Sequence, residues 1–243
     1  SNVLSEQVTY CKMNIKTGDI VLDLGCGPGI DTIQLAQLVG ESGFVYGIDM
    51  DEEMIAIADK EGLKAGVNKR VFHQTGTVQQ LPFNEEFFDS CRAERLFQVI
   101  PKEINRGIIF SEIKRVLKAD GTLVLTDVDW GSASIDFPDI GLERKLVTFF
   151  ASRMRPDGFA GRAFRRQFIE NGFKNITCEV ETLITTKLEE SPFGAWLTGC
   201  ALDAGVITKA EADFWLETLM DKNKNNKYFS TVSSIIVTGR KSE

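Results

Sequence analysis

The sequence has few of the side chains that histidine-based and metal-dependent sites require. It contains one histidine, His73, and five cysteines with no CxxC pair. A zinc cluster or a disulfide framework is therefore not expected, and this cysteine usage is typical of a reducing compartment. His73 is predicted near the end of a strand, and we interpret it as a structural or surface residue. The sequence predicts no metal site.

Long apolar runs and an excess of positive charge are also missing. The apolar runs are only a few residues long, far short of the roughly 20 residues that a membrane-spanning helix needs. The 28 lysines and arginines are outnumbered by 35 aspartates and glutamates, which gives a net charge of −7. That sign disfavours a protein that binds nucleic acid through bulk electrostatics. No signal-peptide pattern is visible, so we expect a cytoplasmic protein with no membrane span and no nucleic-acid partner.

Strand and helix patterns alternate regularly over the first 130 residues, which predicts a parallel sheet with helices on both faces. A helix is expected directly after Pro101, because proline suits the first helical position. A helical insertion is expected at about residues 187–227, with helices beginning at Ser191 and Thr208. Strands are predicted at residues 20–24, 44–50, 70–75, 87–93, 122–128, 176–186 and 229–239, and further helices at 139–155 and 161–171.

The most informative motif is a glycine-rich turn after the first predicted strand. Residues 21–29 read VLDLGCGPG, and such glycines let a ligand approach the backbone beside the N–H groups of the next helix. The spacing is GxGxG rather than the GxGxxG of dinucleotide sites, and Asp23 would repel a pyrophosphate but suits an ammonium group. Asp49 ends the second strand, where a carboxylate can accept both ribose hydroxyls. The pattern predicts a ligand with a ribose and a positive charge but no diphosphate.

With these motifs the sequence resembles the class I S-adenosylmethionine-dependent methyltransferases. VLDLGCGPG is similar to their first motif, and GIDMDEEMIAIA is similar to their ribose-binding acid and the helix after it. GTVQQLPF is similar to their adenine-flanking segment, and IKRVLKADG to the helix and turn before their fifth strand. Within the family the sequence most resembles the small-molecule branch that includes the ubiquinone and menaquinone C-methyltransferases.

The resemblance implies a Rossmann-like α/β fold with a seven-stranded, mostly parallel sheet in a single domain, residues 1–243. Residues 1–130 would form the cofactor-binding half and residues 131–243 the substrate-side half. The implied cofactor is S-adenosyl-L-methionine. The family usually has an acid where Thr77 stands, so the contact with the adenine amino group is expected to be weaker or water-mediated. It often has a histidine where Val99 stands, and the role of that histidine is not carried over. The expected cofactor-binding residues are Tyr10, Asp23, Gly25, Cys26, Gly27, Gly29, Asp49, Met50, Gly76, Thr77, Val78 and Ala93.

Methyl transfer from a sulfonium is an in-line displacement of an activated group, so positioning and desolvation supply much of the acceleration. Open α/β sheets bind ligands beyond the carboxyl ends of their strands. Glu94 and Asp129 are the candidate general bases there, and Arg95 and Trp130 are the candidate substrate contacts. A structural role is an equal alternative for Glu94, Asp129 and Trp130, and Asp127 is expected to cap a strand end. The full set of candidates is Arg92, Glu94, Arg95, Asp127, Asp129 and Trp130.

The expected acceptor is a small molecule, anionic or aromatic, methylated on oxygen, nitrogen or carbon. A quinone-type C-methyltransferase and a non-catalytic S-adenosylmethionine-binding module are the alternatives. Residues 141–166 contain seven basic and two acidic residues, which we interpret as a solvated helix face, with an anionic substrate or membrane surface as the other possibility. The aromatic residues of the insertion are expected to pack between helices, and the insertion is a candidate cap that excludes water.

Overall fold

The computed structural model describes residues 9–242. Seven strands form one sheet: β1 (Ile20–Leu24), β2 (Phe44–Asp49), β3 (Val71–Thr75), β4 (Phe88–Glu94), β5 (Leu117–Ile135), β6 (Phe173–Thr185) and β7 (Ser230–Lys241). Their order is β3-β2-β1-β4-β5-β7-β6. β7 runs antiparallel to both of its neighbours, whereas β1 to β5 pair in parallel. The expected seven-stranded, mostly parallel α/β architecture is confirmed. Residues 1–8 and 243 of the expected domain lie outside the described residues.

Helices connect the strands, and four of the seven α-helices within the described residues begin at a side-chain cap, from Asp51, Asn105, Asp139 and Thr208. They are α1 (Ile30–Val39), α2 (Glu52–Lys64), α3 (Arg106–Val116), α4 (Ile140–Arg153), α5 (Ala160–Glu170), α6 (Ala195–Asp203) and α7 (Lys209–Lys224), and residues 9–12 are also helical. The expectation that a helix begins directly after Pro101 is wrong. Asn105 Oδ1 accepts the backbone N–H of Gly107 at 2.8 Å, and this cap makes Arg106 the first helical residue.

β5 is longer than the predicted strand at residues 122–128. Leu117 already pairs with Phe88, and the register then shifts before Ser90 pairs with Thr122. At the other end, residues 134–135 pair with residues 230–231 after a second irregularity. Alternation of side chains could not predict this extension, because the pairing resumes beyond each irregularity. Residue 130, the expected boundary between the two halves, therefore lies inside a strand.

The helical insertion before the last strand is confirmed. A short 3-10 turn, Leu188–Glu190, precedes α6 and α7. The Thr208–Glu211 capping box is present, with the Thr208 N–H donating to Glu211 Oε2 at 2.7 Å. The expected helix start at Ser191 is displaced to Ala195, because the Ser191 N–H donates to Leu188 O at 3.0 Å and closes the 3-10 turn.

The insertion packs on α4 through an apolar core of its own. Phe193, Leu197, Trp215 and Leu219 are buried there, and Trp215 Nε1 donates to Phe193 O at 2.9 Å. Trp196, in contrast, is 61% exposed. The aromatic residues therefore divide between core and surface. No helix within residues 9–242 is long and apolar enough to cross a membrane.

Replacement of Trp215 by alanine tests this packing, with Trp196→Ala as the matched control. Removal of a buried tryptophan costs about 3–5 kcal/mol of unfolding free energy, whereas an exposed substitution changes it by about 0.5 kcal/mol or less. Urea denaturation monitored by circular dichroism measures both values. Equal losses for the two variants would contradict the packing of the insertion as a core.

Candidate functional site

The glycine-rich turn after β1 forms an open cradle at the carboxyl edge of the sheet. Gly29 has a φ of +78°, and a Cβ there would lie 2.8 Å from the Cβ of Ala58 on α2. Gly27 also has a positive φ, +51°, but a Cβ there would meet nothing within 4 Å. Gly29 is thus required for close packing, whereas Gly27 leaves open space beside the backbone for a ligand.

Asp49, at the end of β2, holds the turn in place. Its Oδ2 accepts the Gly27 N–H at 2.9 Å and its Oδ1 accepts the Asp51 N–H at 3.0 Å. The Asp49 carbonyl accepts the Gly76 N–H at 2.8 Å, which draws the segment after β3 towards the same edge. Met50 beside it is 83% exposed, an unusual exposure for a large apolar side chain.

A cavity of about 460 Å³ lies in front of these elements, and we call it the first cavity. Apolar side chains from the loop after β4, including Val99, Ile100 and Ile104, form one wall. The cavity is therefore apolar with a few polar groups at one side, as is usual for ligand pockets. The predicted residues that line it are Gly25, Asp49, Met50, Gly76, Thr77, Val78, Glu94 and Arg95.

A buried guanidinium lies beneath the cradle. Arg92 on β4 is 1% exposed, and its Nη1 lies 3.2 Å from Asp23 Oδ1 and 3.0 Å from Asp31 Oδ2. Its Nη2 lies 2.5 Å from Glu94 Oε2. Tyr10 donates its hydroxyl hydrogen to Asp31, and the Arg92 guanidinium carbon is 5.4 Å from the centre of the Tyr10 ring. One cation thus joins three carboxylates from β1, α1 and β4.

Asp23 retains an acceptor that nothing in the described part of the chain satisfies. Its carboxylate is buried, and its Oδ2 has no hydrogen-bond partner there. Burial raises the pKa of Asp23, Arg92 opposes that rise, and the nearby carboxylates of Asp31 and Glu94 add to it. A cationic group at this oxygen would supply the missing partner.

A second cavity, of about 510 Å³, adjoins the first. Both cavities are lined by Glu94 and Arg95, at the carboxyl end of β4. Trp130, predicted as a substrate contact, lines the second cavity together with Phe193 from the insertion. Two ligand-sized spaces therefore meet at two of the predicted site residues.

The other predicted residues line neither cavity in the described chain: Tyr10, Asp23, Cys26, Gly27, Gly29, Arg92, Ala93, Asp127 and Asp129. Asp129 is paired with Arg162, whose Nε donates to Asp129 Oδ2 at 2.8 Å. The Cys26 side chain is buried beside Gly47, and Ala93 is buried within β4. Asp127 lies inside β5 rather than capping a strand end, because the strand continues to Ile135. It is fully buried and accepts the N–H groups of residues 98 and 128 at 2.9 and 2.8 Å, which is a structural role.

His73 lies away from both cavities, as the sequence predicted. Its side chain is buried, with Nε2 2.8 Å from Thr32 Oγ1 and Nδ1 2.9 Å from Asp59 Oδ1. It connects β3 to α1 and α2.

The basic residues of the segment 141–166 mostly belong to ion pairs. Lys145 pairs with Glu211, Arg166 with Glu170, and Arg144 with Glu143. Within the described chain none of the segment's seven basic residues lines either cavity.

Sequence reasoning missed two contributions to the site. Asp31 gave no signal, because an acid in the first turn of a helix is commonplace. The walls from β6 and β7, such as Ile184 and Thr231, depend on strand order. Arg92 did carry a signal, since it is a charged residue inside the otherwise buried pattern of β4.

Residues 15–152 match the sequence profile of the methyltransferase domain family. The chain belongs to this family. The resemblance found in the motifs is thereby confirmed.

Sequence relatives of this methyltransferase domain match it over only part of their own length. An uncharacterized 37.1 kDa protein in a transposon of Streptomyces fradiae is 29% identical over 233 residues, 94% of this chain and 64% of that protein. The demethylmenaquinone methyltransferase of Lactobacillus johnsonii is 36% identical over 112 residues, 46% of this chain and 45% of the enzyme. The chain thus spans less than two thirds of either relative.

Solved structures share the fold of this methyltransferase domain. YcgJ from Bacillus subtilis has a TM-score of 0.69 at 19% identity, with 98% of both chains covered. Geranyl diphosphate C-methyltransferase from Streptomyces coelicolor, solved with S-adenosyl-L-homocysteine, has a TM-score of 0.58 at 12% identity, covering 98% of this chain and 79% of the enzyme. At these identities the likeness shows the fold.

Arg92→Met tests the buried charge cluster, with the exposed Arg166→Met as control. Loss of the guanidinium leaves buried carboxylates uncompensated, which costs about 3–5 kcal/mol. We expect Arg92→Met to lose less unfolding free energy at pH 5 than at pH 8. Without Arg92, Asp23 binds a proton more tightly in the folded state than in the unfolded state, so low pH neutralises the uncompensated carboxylate and stabilises the folded variant. Chemical denaturation at both pH values measures this, and a loss below about 1 kcal/mol would contradict it.

The unfolding free energy should depend on pH through the buried carboxyl group of Asp127. Burial raises its pKa from 3.8 to about 7, so the folded state binds more protons than the unfolded state between those values. Stability contributed by this group is therefore present at low pH and is lost as pH rises towards 7. We expect Asp127→Asn to flatten the decline in unfolding free energy over that interval. The exposed Asp203→Asn should leave the decline unchanged, and identical curves for both variants would exclude Asp127 as its source.

Proposed function

We propose that this chain binds S-adenosyl-L-methionine in the first cavity and transfers its methyl group to a small-molecule acceptor in the second. The observation that carries the proposal is the meeting of the two cavities at Glu94 and Arg95. A donor and an acceptor must come into direct contact for an in-line displacement, and adjoining cavities permit this contact.

The residues around the first cavity fit this cofactor. Behind the cavity lining, the unsatisfied Asp23 Oδ2 would accept its ammonium group, and the open space beside Gly27 would take its methionine end. Asp49, Met50 and Val78 line the cavity; the Asp49 carboxylate would accept the ribose hydroxyls, and Met50 and Val78 would pack on the adenine. When bound, the cofactor supplies a methyl group already activated on a sulfonium.

The remaining work of this chain is to orient the acceptor and to exclude water. Trp130 and Phe193 give the second cavity rigid apolar walls, and the insertion that carries Phe193 is a cap against solvent. Both carboxylates are paired with an arginine, Glu94 with Arg92 and Asp129 with Arg162, but Glu94 lines both cavities and Asp129 lines neither. Where an acceptor must lose a proton, Glu94 is therefore the better placed base of the two.

A quinone-type C-methyltransferase is the second candidate. It is favoured by the demethylmenaquinone methyltransferases among the relatives, one of them 36% identical over 112 residues. Ile30 and Ile184, both exposed, line the second cavity and offer the apolar surface that a lipid tail requires. A demethylated menaquinone analogue belongs in the first acceptor screen, and turnover of any acceptor excludes the non-catalytic module.

Calorimetric titration with S-adenosylhomocysteine tests the cofactor assignment, after any carried-over ligand has been removed and identified by mass spectrometry. We expect micromolar binding to the wild type, and an affinity about 10–100-fold lower for Asp49→Ala, because hydrogen bonds to a charged group are lost. Asp203→Ala is the matched control and NADH the control ligand. A folded, ligand-free wild type that fails to bind S-adenosylhomocysteine would contradict the proposal.

A further inference from the structure

The aromatic wall of the second cavity is held rigidly. Trp130 Nε1 donates to Gln98 Oε1 at 2.8 Å, and the Gln98 N–H donates to the buried Asp127 at 2.9 Å. The Trp130 ring stands edge-on to Phe150, with 4.8 Å between the ring centres. The guanidinium of Arg155 lies 5.4 Å from the centre of the Trp130 ring. A fixed flat surface of this kind favours a flat apolar ring over a flexible chain.

The charged side chains that line the second cavity differ in how closely an oppositely charged partner approaches them. The Glu94 carboxylate is nearly buried, and Arg92 holds it at 2.5 Å. Glu190 pairs with Lys187 at 3.4 Å. Arg95 is different, because its side chain is 70% exposed and the nearest carboxylate oxygen, Glu94 Oε1, is 3.8 Å from its Nε. Among the charges lining the second cavity in the described chain, the Arg95 guanidinium has the weakest partner.

The backbone places Arg95 where the two cavities join. Its φ is +53°, in the left-handed region that favours glycine, and its N–H donates to Thr126 O at 2.9 Å. Non-glycine residues in this conformation cluster at functional sites. The guanidinium therefore extends from a point fixed by β5, on the rim that both cavities share.

The number of basic residues that line the second cavity limits the negative charge that its ligand can carry. Arg95 is the one basic residue that lines the second cavity in the described chain. Recognition of a polyanion such as a diphosphate takes several cationic groups, whereas one guanidinium suits a single carboxylate or phenolate.

We propose that the second cavity binds a flat apolar ring system that carries one anionic group, and that Arg95 recognises this charge. That this ligand is the methyl acceptor rests on the proposed function, whereas its binding in the second cavity does not. The Trp130 wall selects the ring, and Arg95 orients it towards the first cavity.

Two probes of the same shape test the charge: 2-naphthoate and the neutral 2-naphthamide. Both are titrated by calorimetry with and without saturating S-adenosylhomocysteine. We expect naphthoate to bind the wild type at least about 10-fold more tightly than naphthamide, since a charge-assisted hydrogen bond is gained. Equal affinities, or no naphthoate binding at millimolar concentration, would overturn the proposal.

Variants assign the preference to Arg95. In Arg95→Gln the affinity ratio of naphthoate to naphthamide should fall to about 1, and Arg95→Lys should restore part of it. Arg240→Gln is the matched control, because Arg240 is exposed. It lies opposite Thr122 in the backbone pairing of β7 with β5, at the other edge of the sheet from the cavities. An unchanged ratio in Arg95→Gln would overturn the role of this residue.

Two further measurements complete the test. Trp130→Leu should weaken both naphthyl probes about equally while leaving the affinity of octanoate, a flexible anion, within about twofold. A larger loss for octanoate than for naphthoate would overturn the preference for a ring. Failure of S-adenosylhomocysteine to bind the wild type would contradict the proposed function alone, because the ratio of the naphthyl probes is also measured without it.

Discussion

The site depends on one buried cation. Arg92 is surrounded by carboxylates from the end of β1, the first turn of α1 and the end of β4, and it is almost inaccessible to water. A charge in this environment is stable only while its partners are in place, and the partners repel one another without it. The guanidinium therefore fixes three elements relative to each other. The glycine-rich turn directly follows β1, the strand that carries Asp23.

A second chain of contacts continues from this cluster to the second cavity. The left-handed backbone of Arg95 redirects the chain after β4, and the following loop is held at Gln98 by Asp127. Gln98 in turn accepts the indole N–H of Trp130. Hydrogen bonds to a buried carboxylate are strong and directional. The walls of the two cavities are thus connected through a few polar side chains within an apolar surrounding.

The parts of the site that arise from local chemistry could be predicted from the sequence. Glycine at positions 25, 27 and 29 permits the positive φ found there, and Asp49 ends a strand whose apolar pattern is plain. Partners brought together from distant segments could not be predicted. Asp129 and Glu94 both sit near strand ends in the sequence, and only the folded chain shows Arg162 of α5 against the former. α3 begins later than predicted because its first turn is capped by Asn105 and not started by Pro101.

The reversed direction of β7 has a consequence for the way such a site can diversify. Since β7 is antiparallel to β5, its first residues, 230–234, reach the same edge of the sheet as the carboxyl ends of the parallel strands. The insertion that precedes β7 is therefore delivered directly onto the second cavity, while the first cavity is built by segments nearer the amino terminus. Changes in the length or composition of the insertion can reshape one cavity and leave the other intact. Selection can thus act on the two cavities separately, within one uninterrupted sheet.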